Sequence, residues 1–271
     1  MLPSAHRQVL VTGGGRRLGA AICEAFAQAG WRVWCQYRAS KGEALALCER
    51  LRAEGGTARA VEADITTEAG RRALMAEVTA VAPLDAVVNN ASAFEPDSAQ
   101  DFAADAAGRQ LGVNLIAPLD FARLLAAQPQ PAGTAPADRC ALHILDQKVY
   151  NLNPDYFTYT VSKLALERAV ALQAQALAPS ARVCGVSPGI LYASGPQTGD
   201  NFALAARANL MRRPIDPADV ARSCVFLAET ASITGSTLSV DNGQHLVPLP
   251  RDIMFVVDEL LAGTAPSTPA P

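Results

Sequence analysis

Val9-Leu10-Val11-Thr12-Gly13-Gly14-Gly15-Arg16-Arg17-Leu18-Gly19 joins a short β-branched run to an Ala-rich amphipathic segment. Leu18, Ile22, Ala25, Phe26 and Ala29 recur at helical spacing, and Gly30 is a stop that tolerates positive φ. The stretch therefore reads as strand, glycine-rich turn, helix. Glycines there let the backbone close in on a ligand, and the free amides at a helix N-terminus favour negative charge. In that context the motif predicts a site for the pyrophosphate of a dinucleotide.

Outward from this turn the alternation repeats. Strands are expected at 31–37, 57–61, 84–88, 140–145, 182–186 and 237–240. Helices are expected at 41–53, capped by Ser40, and at 68–81, 105–127, 155–178 and 219–229, with irregular, partly helical chain over 189–213. Such alternation predicts an α/β fold: a Rossmann-like, doubly wound parallel sheet of seven strands with helices on both faces. No composition shift marks a second domain, so residues 1–261 are read as one domain. Residues 128–138 read as a surface loop and 262–271 (AGTAPSTPAP) as a disordered tail.

The chain has 271 residues, 50% hydrophobic and 18% charged, enough for a large core and too apolar for general disorder. A net charge of −3 argues against a nucleic-acid or anionic-membrane partner. Six cysteines without a C-x-x-C pair, and three scattered histidines, argue for buried thiols rather than disulfides or a metal site. The N-terminus lacks a charged region followed by a long apolar one, and no run of about 18 apolar residues occurs, so a cytoplasmic protein without a signal peptide is expected.

A carboxylate closing the second strand would accept from a ribose 2′-hydroxyl, but this chain reads Gln36-Tyr37-Arg38. Arg38, with Arg16, Ser40 and Lys41, offers donors suited to a 2′-phosphate, which favours NADPH over NADH. Asp64, followed by Ile65, sits after the third strand, where a carboxylate can bind an adenine amino group. Asn89-Asn90-Ala91-Ser92 follows the fourth strand and lets the chain pass close to a cofactor. A plain turn is the competing reading of both. Tyr159-Thr160-Val161-Ser162-Lys163 puts a phenol and an ammonium on one helical face. The ammonium is expected to lower the phenol pKa from about 10, making Tyr159 a general acid. Lys163 is also suited to hold ribose hydroxyls.

These motifs, followed by Ser187-Pro188-Gly189, resemble the short-chain dehydrogenase/reductase family over residues 7–245. The resemblance implies NAD(P)-dependent hydride transfer and a homotetramer. It implies that Asn114 binds a helix backbone and a water in a proton relay, and that Pro188 and Gly189 line the nicotinamide. Where the family continues to a Thr, this chain has Ile190-Leu191-Tyr192-Ala193. Two departures narrow the subgroup: Arg17 replaces the third glycine of the loop, and Asp146 replaces the catalytic Ser. Both resemble pteridine reductases and the bacterial dihydromonapterin/dihydrofolate reductases, as does Asn89-Asn90-Ala91-Ser92-Ala93-Phe94. By that resemblance Arg17 faces cofactor phosphate and pterin, Ser92 hydrogen-bonds the pterin, and Phe94 stacks on it.

The chemistry of Asp146 agrees. An ionised carboxylate only accepts hydrogen bonds, so it suits the N–H-rich edge of a pterin better than a developing alkoxide. The expected reaction is NADPH-dependent reduction of a dihydropterin or dihydrofolate to its tetrahydro form, with Tyr159, Lys163 and Asp146 assisting protonation. The alternatives are a carbonyl reductase of another ketone and, less favoured, a non-catalytic NADPH-binding sensor. Phe94 as a core aromatic, and Asp146 as a helix cap or a surface turn acid, are the competing readings of those two residues. Residues 191–213 are expected to form a substrate lid.

Overall fold

Seven strands form one parallel sheet in the computed structural model, which describes residues 7–129, 139–195 and 197–261. They are β1 (Gln8–Val11), β2 (Arg32–Tyr37), β3 (Thr57–Glu62), β4 (Ala86–Asn89), β5 (Cys140–Ile144), β6 (Arg182–Pro188) and β7 (Thr237–Val240). Their order is β3-β2-β1-β4-β5-β6-β7, with every pairing parallel. The expected tail and nearly all of the expected 128–138 loop lie outside the described residues.

Alternation along the strands feeds two cores. Val9 and Val11 of β1 pack with α1 (Arg17–Gln28), α2 (Lys41–Ala53) and α8 (Pro217–Glu229). Leu10, between them, faces α3 (Glu68–Thr79), α5 (Ala117–Ala126) and α6 (Phe157–Leu177) on the other side. A strand covered on both faces is mostly apolar, and β1, β4, β5 and β6 are buried along their whole lengths. All six cysteines are buried free thiols. No helix among the described residues is long and apolar enough to cross a membrane.

Two local expectations need correction. The helix expected over 105–127 is two helices, α4 (Ala104–Leu111) and α5, separated by one π-helical turn, Gly112–Ile116, that carries Asn114. Ser40 does not cap α2 with its side chain, because its backbone (φ −90°, ψ 51°) is not the extended form that aims a hydroxyl at the first-turn amides. After β7, α9 (Ile253–Leu261) packs Ile253, Val256 and Val257 on Ala205 of α7 (Gly199–Ala205).

The sheet order reverses between β1 and β4, whose following segments leave in opposite directions. In a doubly wound sheet that switch point opens a crevice at the carboxyl ends of the strands. The cleft described next lies there.

Candidate active site

The glycine-rich turn, the segments after β4, β5 and β6, and residues 252–254 enclose a cleft of about 720 Å³. Two glycines make its floor possible. Gly13 has φ +61°, and a Cβ there would lie 3.1 Å from Ala91 Cα; one at Gly19 would lie 2.2 Å from the Gly13 carbonyl oxygen. The turn is tied from both sides. Thr12 Oγ1 accepts from the amides of Asn90 (3.0 Å) and Ala91 (3.1 Å), and Asn90 Nδ2 donates back to the carbonyls of Thr12 (3.0 Å) and Gly13 (3.2 Å). Gln36 Oε1 accepts from the Gly13 amide at 2.9 Å.

Arg17 has φ +50°, in the left-handed region that favours glycine. Its guanidinium donates to the Ala193 carbonyl and lies 5.4 Å from the Tyr192 ring centroid, bridging the cleft to the segment after β6. Leu18 lines the cleft beside it, and Arg16, Tyr37, Arg38, Ser40 and Ile65 line its end near β2. Asp64 stands outside the lining. Its Oδ1 accepts from the Thr66 hydroxyl (2.7 Å) and amide (2.9 Å), which hold its carboxyl below the usual range.

At the other end, Tyr159 Oη donates to Asp146 Oδ2 at 2.7 Å, and Asp146 Oδ1 accepts from the Lys148 amide at 2.9 Å. Lys163 Nζ donates to the Ile144 carbonyl at 2.7 Å and lies 5.7 Å from the Tyr159 ring centroid. Burial pushes Asp146 above the ordinary carboxylate range, against the opposing Lys148 amide, Tyr159 hydroxyl and the two lysine charges. Burial, then the Asp146 charge, pushes Tyr159 well above the usual phenol value. Burial also brings Lys163 down to about 8, with Asp146 opposing. The expectation that Lys163 lowers the Tyr159 pKa is overturned: the hydroxyl is bonded to a carboxylate rather than an ammonium. Burial and the Asp146 carboxylate both favour the neutral phenol of Tyr159.

Asn114 is buried behind the lining and spans two elements. Its Oδ1 accepts from the Ala93 amide (2.8 Å) and the Ser92 hydroxyl (3.2 Å), while Nδ2 donates to the Ala93 carbonyl (2.9 Å) and to Ser162 Oγ of α6 (3.0 Å). It holds the segment carrying Ser92 and Phe94 in place, where a helix-backbone contact was expected. Phe94 is not a core residue. It is 36% exposed and lines the cleft, stacked on Tyr156 (4.0 Å between centroids, 19°) and edge-on to Tyr159 (4.7 Å, 89°). Ala91, Pro188 and Gly189 border the same space.

Lys148, Gln244 and Asp252 also line the cleft, and the sequence reading missed them. Lys148 follows Asp146 by two positions, a signal within reach. Asp252 meets Lys148 across 104 positions, and no local pattern announces that contact.

A family model described as enoyl-(acyl carrier protein) reductase matches residues 15–245. With the fold and the Tyr–Lys helix, this defines the class: the chain belongs to the short-chain dehydrogenase/reductase family of oxidoreductases. It is 34% identical over 247 residues to an uncharacterized oxidoreductase of Mycobacterium tuberculosis, covering 86% of this chain and 90% of that one. It is 26% identical over 245 residues to the dihydromonapterin reductase of Citrobacter koseri, covering 88% and 96%. The crystal structure of FolM alternative dihydrofolate reductase 1 from Brucella suis, in complex with NADP, matches with a TM-score of 0.83 at 34% identity, covering 90% and 97%. Within its family the chain is thus similar to the pteridine reductase-like subgroup.

Proposed function

We propose that the chain is an NADPH-dependent pterin reductase that converts a dihydropterin or dihydrofolate to the tetrahydro form. The observation that carries this reading is the Asp146–Tyr159 hydrogen bond set beside the exposed ring of Phe94. The likeness to dihydromonapterin reductase and to the NADP-bound dihydrofolate reductase supports it.

The residues fit a dinucleotide. Side chains at Gly13 and Gly19 would obstruct the turn, whose backbone leads into α1, and Arg16, Arg38 and Ser40 line the end that would take a 2′-phosphate. Asn90, Ala91, Pro188 and Gly189 would border the nicotinamide half, with Lys163 toward its ribose. Bound NADPH supplies the hydride to the carbon of a ring C=N. Tyr159 would give its proton to the adjacent nitrogen; Asp146, when protonated, would return a proton to the phenolate with their hydrogen bond reversed, and the carboxylate would take its next proton from solvent. Phe94 offers an aromatic face for the pterin, Arg17 and Ser92 offer donors, and Asn114 keeps Ser92 and Phe94 in register. Because burial pushes Asp146 up, the pair keeps its proton to higher pH than a free carboxyl. Turnover then falls as pH rises past the pair's apparent pKa.

The reading also includes a homotetramer: Ile116, Val161 and Leu172 are exposed apolar residues on or beside α5 and α6, and light scattering reads the mass. The deciding experiment for the activity is the initial rate of NADPH oxidation with dihydromonapterin, dihydrobiopterin, dihydrofolate and simple ketones, with NADH in parallel. Saturable turnover of a dihydropterin with NADPH is expected. Turnover of ketones alone would replace this reading with a carbonyl reductase.

A further inference from the structure

Two ion pairs bind residues 251–254 across the segment between β5 and α6, and the chemistry above uses neither. The Arg251 guanidinium grips the Asp155 carboxylate through contacts of 2.9, 2.9 and 3.1 Å, and Asp155 Oδ2 also accepts from the Asp252 amide at 2.7 Å. Lys148 Nζ lies 3.0 Å from Asp252 Oδ2 and 3.1 Å from the Asp155 carbonyl, with the Tyr156 ring centroid 5.3 Å away. The Lys148 and Asp252 side chains are only 4% and 14% exposed, yet both residues line the cleft. The amide of the same Lys148 holds Asp146 Oδ1. From the far side, Asn201 of α7 donates to the Met254 carbonyl at 2.7 Å.

We propose that Lys148 and Asp252 are positioning residues of the reaction centre: the pair locks the turn carrying Asp146 to the 251–254 strap and balances the charge around Asp146 and Tyr159. The proposal rests on the assignment of those two residues as the proton source. An ammonium left in a buried site without its counter-ion bears a desolvation penalty of several kcal/mol, so neither member holds its place alone. The charged groups around the centre are few and come from every wall. Lys163 comes from α6, Lys148 from the turn, Asp252 from the strap, Glu95 from the segment after β4 and Arg17 from the glycine-rich turn. The Lys148 charge favours ionised Asp146, and the Asp252 charge favours protonated Tyr159. Removing one or the other therefore acts on the Asp146–Tyr159 pair with opposite sign, which loosening of the fold does not do.

The test is the pH dependence of kcat for Lys148→Met, Asp252→Asn and the double variant, each in the full chain. Lys148→Met should move the alkaline limb up by about half to one pH unit and Asp252→Asn should move it down by a similar amount. The double variant should fall between them, and NADPH affinity by fluorescence titration should not change. Lys148→Arg keeps the charge and should keep the limb in place. Limbs that stay put, or move together, overturn the charge balance. Hydrogen exchange of the protein without substrate tests the lock separately. Asp252→Asn should speed exchange in 146–156 and 251–258 together, and unchanged protection there overturns it. If the wild type turns over no dihydropterin, the pterin reading fails, while the exchange measurement still decides the lock.

Discussion

Replacing Arg17 by Gly in one variant and by Ala in another separates what its backbone costs from what its side chain does. Both variants lose the hydrogen bond to the Ala193 carbonyl and the contact with the Tyr192 ring. These are surface contacts, together worth about 1 kcal/mol. Ala keeps the left-handed backbone at φ +50°, where a Cβ costs roughly 1–2 kcal/mol. Gly relieves that strain but loses about 0.5–1 kcal/mol more chain entropy on folding. The glycine variant should therefore be the more stable of the two, by about 0.5–1 kcal/mol, and close to wild type. Urea unfolding of the three proteins at one pH reads this directly. In NADPH-oxidation assays both variants should raise the dihydropterin KM alike, because both lack the same guanidinium. An alanine variant as stable as the glycine one would refute the strain argument. A glycine variant with wild-type KM would remove Arg17 from the substrate's contacts.

Asp146→Asn and Tyr159→Phe should each lower kcat by about 10²–10⁴ with NADPH affinity intact, the range expected for loss of a general acid; full kcat in both would sink the proton relay. Phe94→Ala should raise KM for the pterin by roughly 2–12-fold, the equivalent of one aromatic pair, and an unchanged KM would end its stacking role. His143, between Asn89 (3.1 Å) and Gln173 (2.9 Å), is lowered by burial from 6.5 to about 4. The unfolded chain then takes up the proton first, so this residue's contribution is complete above pH 6.5 and is lost as pH falls toward 4, by about 3 kcal/mol. Denaturant titrations across that window should be flatter for His143→Gln than for wild type; parallel curves would show that the buried imidazole is not the cause.

Local sequence carried the parts of the site that are local. The glycine turn, Asn90-Ala91 and the Tyr159/Lys163 face each sit within one strand–turn–helix passage, and spacing along one element is what a sequence states most directly. The strand of Thr237–Val240 and the helix of Lys41–Ala53 have the expected bounds for the same reason. The ionisation of Tyr159 was not legible, because the partner of its hydroxyl is set by how β5 meets α6 and not by the i, i+4 pair. The role of Asn114 depends on a π-helical turn that adds one residue to the helical repeat, which hydrophobic periodicity smooths over. Asp252 comes from a segment whose local pattern names no partner, and its meaning depends on a lysine on another element.

The 251–254 strap is also the last wall of the cleft to leave the ribosome. The glycine turn, Asn90, Asp146, Tyr159 and Gly189 all precede β7, and Asp252 follows it. A nascent chain can therefore shape its dinucleotide cradle while Lys148 still lacks its counter-ion, and the substrate side closes only when the strap arrives. Synthesis therefore delivers the glycine-turn end of the cleft first and the 251–254 strap last. Any cargo fused after α9 pulls on the 251–254 strap before it disturbs the glycine turn.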